Sequence, residues 1–177
     1  QREANRRFSY SAKRTLDAAQ RLYEGHKLIT YPRTDSRYLP NDYLEHVHGV
    51  LELMEQDYEY GKVVKTIKED GPQNLDLLLN SEKVSDHFAI VPTLTESDAV
   101  LTGDDAKIYD LIVRQFLASL MGPAIWNQVE RFVAMDVGGE LVDFRATSRT
   151  IDVPGFLAAL KKNDDSADDD RKQQLPH

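Results

Sequence analysis

LITYPRTDSRYLP, residues 28–40, is the stretch around which the rest of the chain is read. Its apolar opening, Leu28-Ile29, is strand-like, and Thr34, Asp35 and Ser36 have turn and capping chemistry. Pro32 disfavours the helical region for the residue before it, so Tyr31 is expected in extended backbone. Residues two apart in an extended chain point the same way, which puts Tyr31 and Arg33 on one face. A phenol is a poor nucleophile at neutral pH unless a base, a cation or a metal stabilises its phenolate. A guanidinium two positions on can hold a phosphate through two hydrogen bonds and stabilise charge on its oxygens. The pair is therefore suited to attack on a phosphodiester. The plain alternative is that Tyr31 is an amphipathic packing residue with a wet hydroxyl.

The chain has 177 residues, 41% of them hydrophobic, and a net charge of −8. That is enough for one buried core, or one domain and part of another. No apolar run approaches a membrane span and no signal segment opens the sequence. The absence of cysteine excludes disulfides and thiolate metal sites and suits a reducing cytoplasm. The first residue is Gln1, not methionine, so a piece of a longer polypeptide is expected. A negative total is the wrong sign for a nucleic-acid binder, but the charge is unevenly spread. Residues 1–37 hold nine Lys or Arg against four Asp or Glu, a net of +5 that leaves −13 for the remainder. Asp164, Asp165, Asp168, Asp169 and Asp170 account for much of that in a tail that reads as a solvated acidic loop.

Periodicity predicts a helix over residues 9–24, capped by Ser11, ended by Gly25 and striped with Leu16, Ala19, Leu22 and Tyr23. Its other face carries Lys13, Arg14 and Arg21, a solvated basic face or a track for a phosphate backbone. A second helix is predicted after Pro40-Asn41, with Leu44, Val47, Leu51 and Met54 at helical spacing. His46 and His48 on it are two apart and read as surface or partly packed residues, not metal ligands. Residues 57–84 are weakly periodic. In SDHFAIVPT, residues 85–93, His87 could donate to a phosphate oxygen or assist proton transfer. Residues 104–120 are the clearest helix, with Tyr109, Ile112, Val113, Phe116, Leu117 and Leu120 as a core stripe. Beyond Pro123 the period changes to two: residues 128–137 and 141–146 alternate about Gly138-Gly139, a hairpin signal. The fold class expected is mainly α with a smaller β part.

Three stretches in order, SAKRTLDAAQRLYE (11–24), LITYPRTDSRYLP (28–40) and SDHFAIVPT (85–93), resemble segments of the type IA DNA topoisomerases, and Pro32 with RTDSRYLP is most similar to the bacterial topoisomerase III branch. The resemblance implies an isomerase that breaks single-stranded DNA through a 5′-phosphotyrosine, passes a strand and reseals without a nucleoside triphosphate. Tyr31 would be the nucleophile, Arg33 and His87 would contact the scissile phosphate, and Lys13 and Arg14 would contact the DNA backbone. The family's usual pattern has a second histidine where this chain has Phe88. The resemblance also implies that residues 1–122 form a helical catalytic-tyrosine domain, with a helix-turn-helix arrangement like that of catabolite activator protein. Residues 123–177 would be returning strands of a β-rich arch, including PGFLAAL (154–160). Mg²⁺ would be held by a Toprim domain absent from this chain, leaving the chain inactive alone; its partners would be single-stranded DNA and the other domains of the same polypeptide, in the cytoplasm on the nucleoid. A non-catalytic helix-turn-helix DNA-binding module, or an acidic protein-interaction domain, would make Tyr31 a stacking or core residue instead.

Overall fold

The structure is a computed structural model describing residues 1–96 and 100–160. It is mainly helical with one small antiparallel sheet. Along the chain run α1 (Arg2–Phe8), α2 (Ala12–Glu24), a 3-10 turn into α3 (Leu44–Met54), α4 (Gly61–Asp70), α5 (Leu75–Leu78), α6 (Gly103–Ser119), β1 (Ile125–Val137), β2 (Glu140–Val153) and α7 (Leu157–Leu160). The acidic run Asp164 to Asp170 lies outside the described residues.

The helix predicted over 9–24 is α2, and it starts later because Ser9, in left-handed backbone, closes the separate helix α1. Ser11 caps α2, its hydroxyl accepting from the Arg14 amide at 3.2 Å. Gly25 ends the helix in right-handed conformation, and the left-handed residue of this turn is Lys27. Thr15, Ala18, Ala19 and Leu22 are buried, a stripe rotated slightly from the predicted one. The helix α4 has no counterpart in the sequence reading. Val63, Val64, Thr66 and Ile67 are β-branched and weak helix formers, but burying Val64 and Ile67 on one face outweighs that small propensity.

Two apolar clusters divide the interior. One gathers Ala18, Ala19 and Leu22 of α2 with Leu28, Ile29 and Ile108. The other joins α3, α4 and the rest of α6 around Val47, Leu51, Val64, Val113 and Leu117. Helix α6 runs through both and ties them together.

Inside the second cluster lies a charge the apolar stripe does not announce. Arg114 is 1% exposed. Its Nε donates to Asp110 at 2.8 Å, Nη2 to Glu59 at 3.0 Å and Nη1 to the Ala159 carbonyl at 3.3 Å. The Tyr60 hydroxyl donates to the same Asp110 at 3.1 Å. Burial, followed by the Asp110 charge, pushes the Tyr60 phenol well above its ordinary pKa. This polar cluster links α6 to the end of the α3–α4 connection and to α7.

The strands of the hairpin are longer than predicted, pairing from Val137↔Glu140 back to Ile125↔Val153. Gly138 and Gly139, both at positive φ, make the two-residue turn, and the Gly139 amide donates to Asp136 at 2.7 Å. The extra length escapes an alternation reading because Asn127, Arg131, Ser148 and Thr150 interrupt the face that carries Val129, Val133 and Phe144. That face carries Val129, Val133, Met135, Val142 and Phe144, all substantially exposed. The opposite face is mixed: Glu130 pairs with Arg145 and Arg149 donates to Gln128 at 2.6 Å, between the apolar Trp126, Phe132, Leu141 and Ile151. The hairpin leaves and rejoins the helical body at one place, where the Phe156 amide donates to the Gly122 carbonyl at 2.9 Å. The segment PGFLAAL then turns into α7, which packs on α6 with Ala159 in the second cluster. Among the described residues no helix is long and apolar enough to cross a membrane.

Candidate active site

The loop after α2 has no helix or sheet of its own, so its backbone groups need partners elsewhere. Residues 85–93 supply them. Ile29 and Pro92 form an antiparallel bridge, Thr30 N–H donates to the Val91 carbonyl at 3.0 Å and Thr93 N–H to the Leu28 carbonyl at 3.0 Å. The buried Thr30 hydroxyl donates to the Ala89 carbonyl and accepts from the Val91 amide, each at 2.9 Å. Further along, Thr34 donates through its hydroxyl to the His87 carbonyl at 3.0 Å and the Ala89 amide to the Tyr38 carbonyl at 2.9 Å. Two segments more than fifty residues apart are thereby laced together. Thr30→Val keeps the side chain's shape but orphans both groups, and should lower the stability of the chain by about 2 kcal/mol, read from its urea midpoint.

This lacing fixes the ring of Tyr31 between two others. The His87 ring lies with its centroid 4.3 Å away at 45°, and Tyr23 of α2 meets it edge-on at 5.4 Å and 80°. Tyr31 is half-buried, and its hydroxyl makes no hydrogen bond with any described residue. After the buried Pro32, exposure alternates: Arg33, Asp35 and Arg37 face out, while Thr34 and Ser36 turn inward. Thr34 accepts from the Ser36 amide at 3.0 Å and Ser36 from the Tyr38 amide at 3.1 Å, so these two hydroxyls shape the loop. Asp35, expected to share that task, makes no such bond. The Arg33 guanidinium is exposed and has no carboxylate partner among the described residues. A half-buried phenol thus lies against an exposed imidazole, two residues before an exposed guanidinium that has no carboxylate partner among the described residues.

A DNA topoisomerase family model matches residues 1–177, the whole chain. The chain belongs to the DNA topoisomerase family. It is 43% identical over 181 residues to DNA topoisomerase 3 of Bacillus subtilis (strain 168), covering 99% of this chain and 24% of that protein. It is 48% identical to the DNA topoisomerase 3 of Shouchella clausii over 126 residues, 70% of this chain and 17% of that one. It is 37% identical over its full length to that of Bacillus cereus (strain ATCC 14579 / DSM 31), 24% of which is covered. The chain thus spans about a quarter of the length of the first of these topoisomerases, at 24%.

Other residues singled out in this topoisomerase segment lie apart from Tyr31. Lys13 is ten residues before Tyr23 on α2, about 15 Å along the helix axis. It is paired with Asp17. Arg14 binds Asp104 through Nε at 2.6 Å and Nη2 at 2.7 Å and lies 4.0 Å over the Tyr10 ring. The hydrogen bonds from Arg14, then from Tyr10, hold the Asp104 carboxyl far below the usual carboxylate range. Arg21 is likewise taken by Asp105. The basic face of α2 is mostly committed to acids of α6, which sequence periodicity could not reveal because the partners lie 84 and 90 residues away.

Phe88 packs against the second cluster with its ring 4.9 Å from Tyr43, on the other side of the chain from His87. The position at which the family's usual pattern has a second histidine therefore serves the core here. His46 stacks on Tyr43 at 4.3 Å and its Nε2 lies 2.9 Å from the Pro92 carbonyl, while His48 is exposed. Among the described residues no three His, Asp or Glu are grouped so as to hold a metal ion. Asp35 is the one carboxylate within the Tyr31 loop, and Asp86 adjoins His87 in the chain.

Proposed function

We propose that Tyr31 is the nucleophile of a type IA DNA topoisomerase III and that this chain is its catalytic-tyrosine segment. The observation that carries the reading is the half-buried Tyr31: its hydroxyl makes no hydrogen bond with any described residue, its ring lies against His87, and Arg33, two residues on, has no carboxylate partner among the described residues. The phenolic oxygen attacks a phosphorus of single-stranded DNA. A P–O bond to the phosphorus forms, the bond to the 3′ oxygen breaks, and that oxygen leaves as a free 3′-hydroxyl after taking up a proton. The 5′ end stays on Tyr31 as a phosphotyrosine. After another strand passes, the 3′-hydroxyl attacks the same phosphorus, expels the phenolate and restores the backbone. One phosphodiester is exchanged for another, so no triphosphate is consumed. Arg33 clamps the non-bridging oxygens and offsets the charge that builds on them. The imidazole of His87 supplies a hydrogen bond to the same phosphate.

Among the described residues no three His, Asp or Glu are grouped to hold a metal ion, and Mg²⁺ would be bound by a Toprim domain elsewhere in the intact polypeptide. Residues 1–122 correspond to the catalytic-tyrosine domain with its catabolite-activator-like arrangement, and residues 123–177 to the arch segment, whose α7 packs on α6. The hairpin supplies two strands of the arch, and the remaining arch strands cover its apolar face, whose exposed Val133, Met135 and Phe144 call for such a partner. The enzyme works on the nucleoid in the cytoplasm.

A 3′-end-labelled single strand incubated with the intact polypeptide and Mg²⁺, then denatured, tests the reading. The label should travel with the protein, and a 5′-end label should not. The 177-residue chain alone should give no adduct in either case. Transfer of the 5′ label, or an adduct on the chain alone, overturns the polarity or the division of labour respectively.

A further inference from the structure

Among the described residues the cations of α2 are spent on acids, as are Lys68 with Glu55 and Arg6 and Arg7 with Glu3. Those of the Tyr31 loop, with Lys83, are not, and the same holds for Arg2, Lys62, Lys65, Lys107 and Arg131 elsewhere. Lys27, Arg33, Arg37 and Lys83 are all exposed, and none has a carboxylate within bonding distance among the described residues. Arg33 and Arg37 flank Asp35 in the chain and neither pairs with it.

The two lysines are held in place in another way. The Lys27 ammonium lies 5.7 Å from the centroid of Tyr23, the ring that meets Tyr31 edge-on. The Lys83 ammonium lies 5.0 Å from Tyr38, whose carbonyl binds the Ala89 amide two residues beyond His87. A ring under an ammonium fixes its position and leaves its three N–H donors free for an anion. Lys27 reaches its place through a left-handed backbone at φ 59, a conformation that side chains other than glycine, asparagine and aspartate seldom adopt. A paired guanidinium, by contrast, must give up its carboxylate before it can take a phosphate.

We propose that the single-stranded substrate runs across Lys27, Arg33, Arg37 and Lys83, with Lys27 and Lys83 gripping backbone phosphates on either side of the one at Tyr31, and not along Lys13 and Arg14 of α2. This deepens the proposed function and rests on it. Each lost contact to a single strand lowers the salt dependence of binding by about 0.7 log units per log unit of salt. In the intact polypeptide, Lys27→Asn with Lys83→Gln should reduce the slope by about 1.4 and weaken binding roughly 20-fold at about 0.1 M salt. Asparagine is chosen because it tolerates the left-handed backbone. Lys13→Gln should leave the slope unchanged.

Binding of a fluorescent single-stranded oligonucleotide, followed by anisotropy across a salt series, reads these values. An unchanged slope in the double variant, or a slope that falls with Lys13→Gln, overturns the proposal while leaving the nucleophile in place if the wild type still forms its adduct. A wild-type polypeptide that forms no adduct removes the reaction itself and this strand path with it.

Discussion

Tyr31→Phe in the intact polypeptide is expected to reduce covalent adduct formation by at least about a thousandfold, to background, with folding untouched. The asymmetry follows from the ring's surroundings. Phenylalanine preserves both ring contacts, to His87 at 4.3 Å and to Tyr23 at 5.4 Å. The hydroxyl it lacks has no partner among the described residues, so stability should stay within about 0.5 kcal/mol of wild type. Binding to single-stranded DNA should also persist, since the cations of the surface are unaltered. Gel separation of the labelled adduct, with circular dichroism melts as the control, measures both halves. Continued cleavage would put the nucleophile elsewhere and return this segment to the status of a DNA-binding module.

Arg114→Ala should have the largest effect on the fold, a loss of about 3 kcal/mol or more in chemical denaturation of the chain. Its side chain is 2% exposed and that of Asp110 16%, so removing the guanidinium strands a carboxylate that solvent barely reaches. Tyr60 would still donate to that carboxylate, but a neutral hydroxyl cannot balance the charge. Arg114→Met, which keeps most of the volume, should lose less, because it avoids the added cavity. Glu59 contributes little to the difference, being 46% exposed and able to turn to water. An alanine variant with an unchanged urea midpoint would mean that the cluster does not bind α7 to the helical body.

What could be read from residue order was local. Helices α2, α3 and α6 follow from apolar spacing with a capping serine at Ser11. The hairpin turn follows from two adjacent glycines. The features that escaped all depend on partners distant in the chain. Helix α4 forms because a core is waiting for Val64 and Ile67, not because its residues favour helix. Arg114 was invisible as a buried charge because Glu59 lies 55 residues upstream. Tyr23 read as one more member of an apolar stripe, whereas its ring meets Tyr31 after the chain turns back through Lys27. Periodicity locates elements; it says nothing of which charges will meet once they fold.

The hairpin begins and ends at the same doorstep, with Phe156 bonded to Gly122. A limb attached in this way transmits force to the helices only through its root. Bending or swinging of Ile125 to Val153 can therefore be large at the tip while Tyr31 and His87 keep their spacing, and the limb's length can drift over generations without retuning the chemistry.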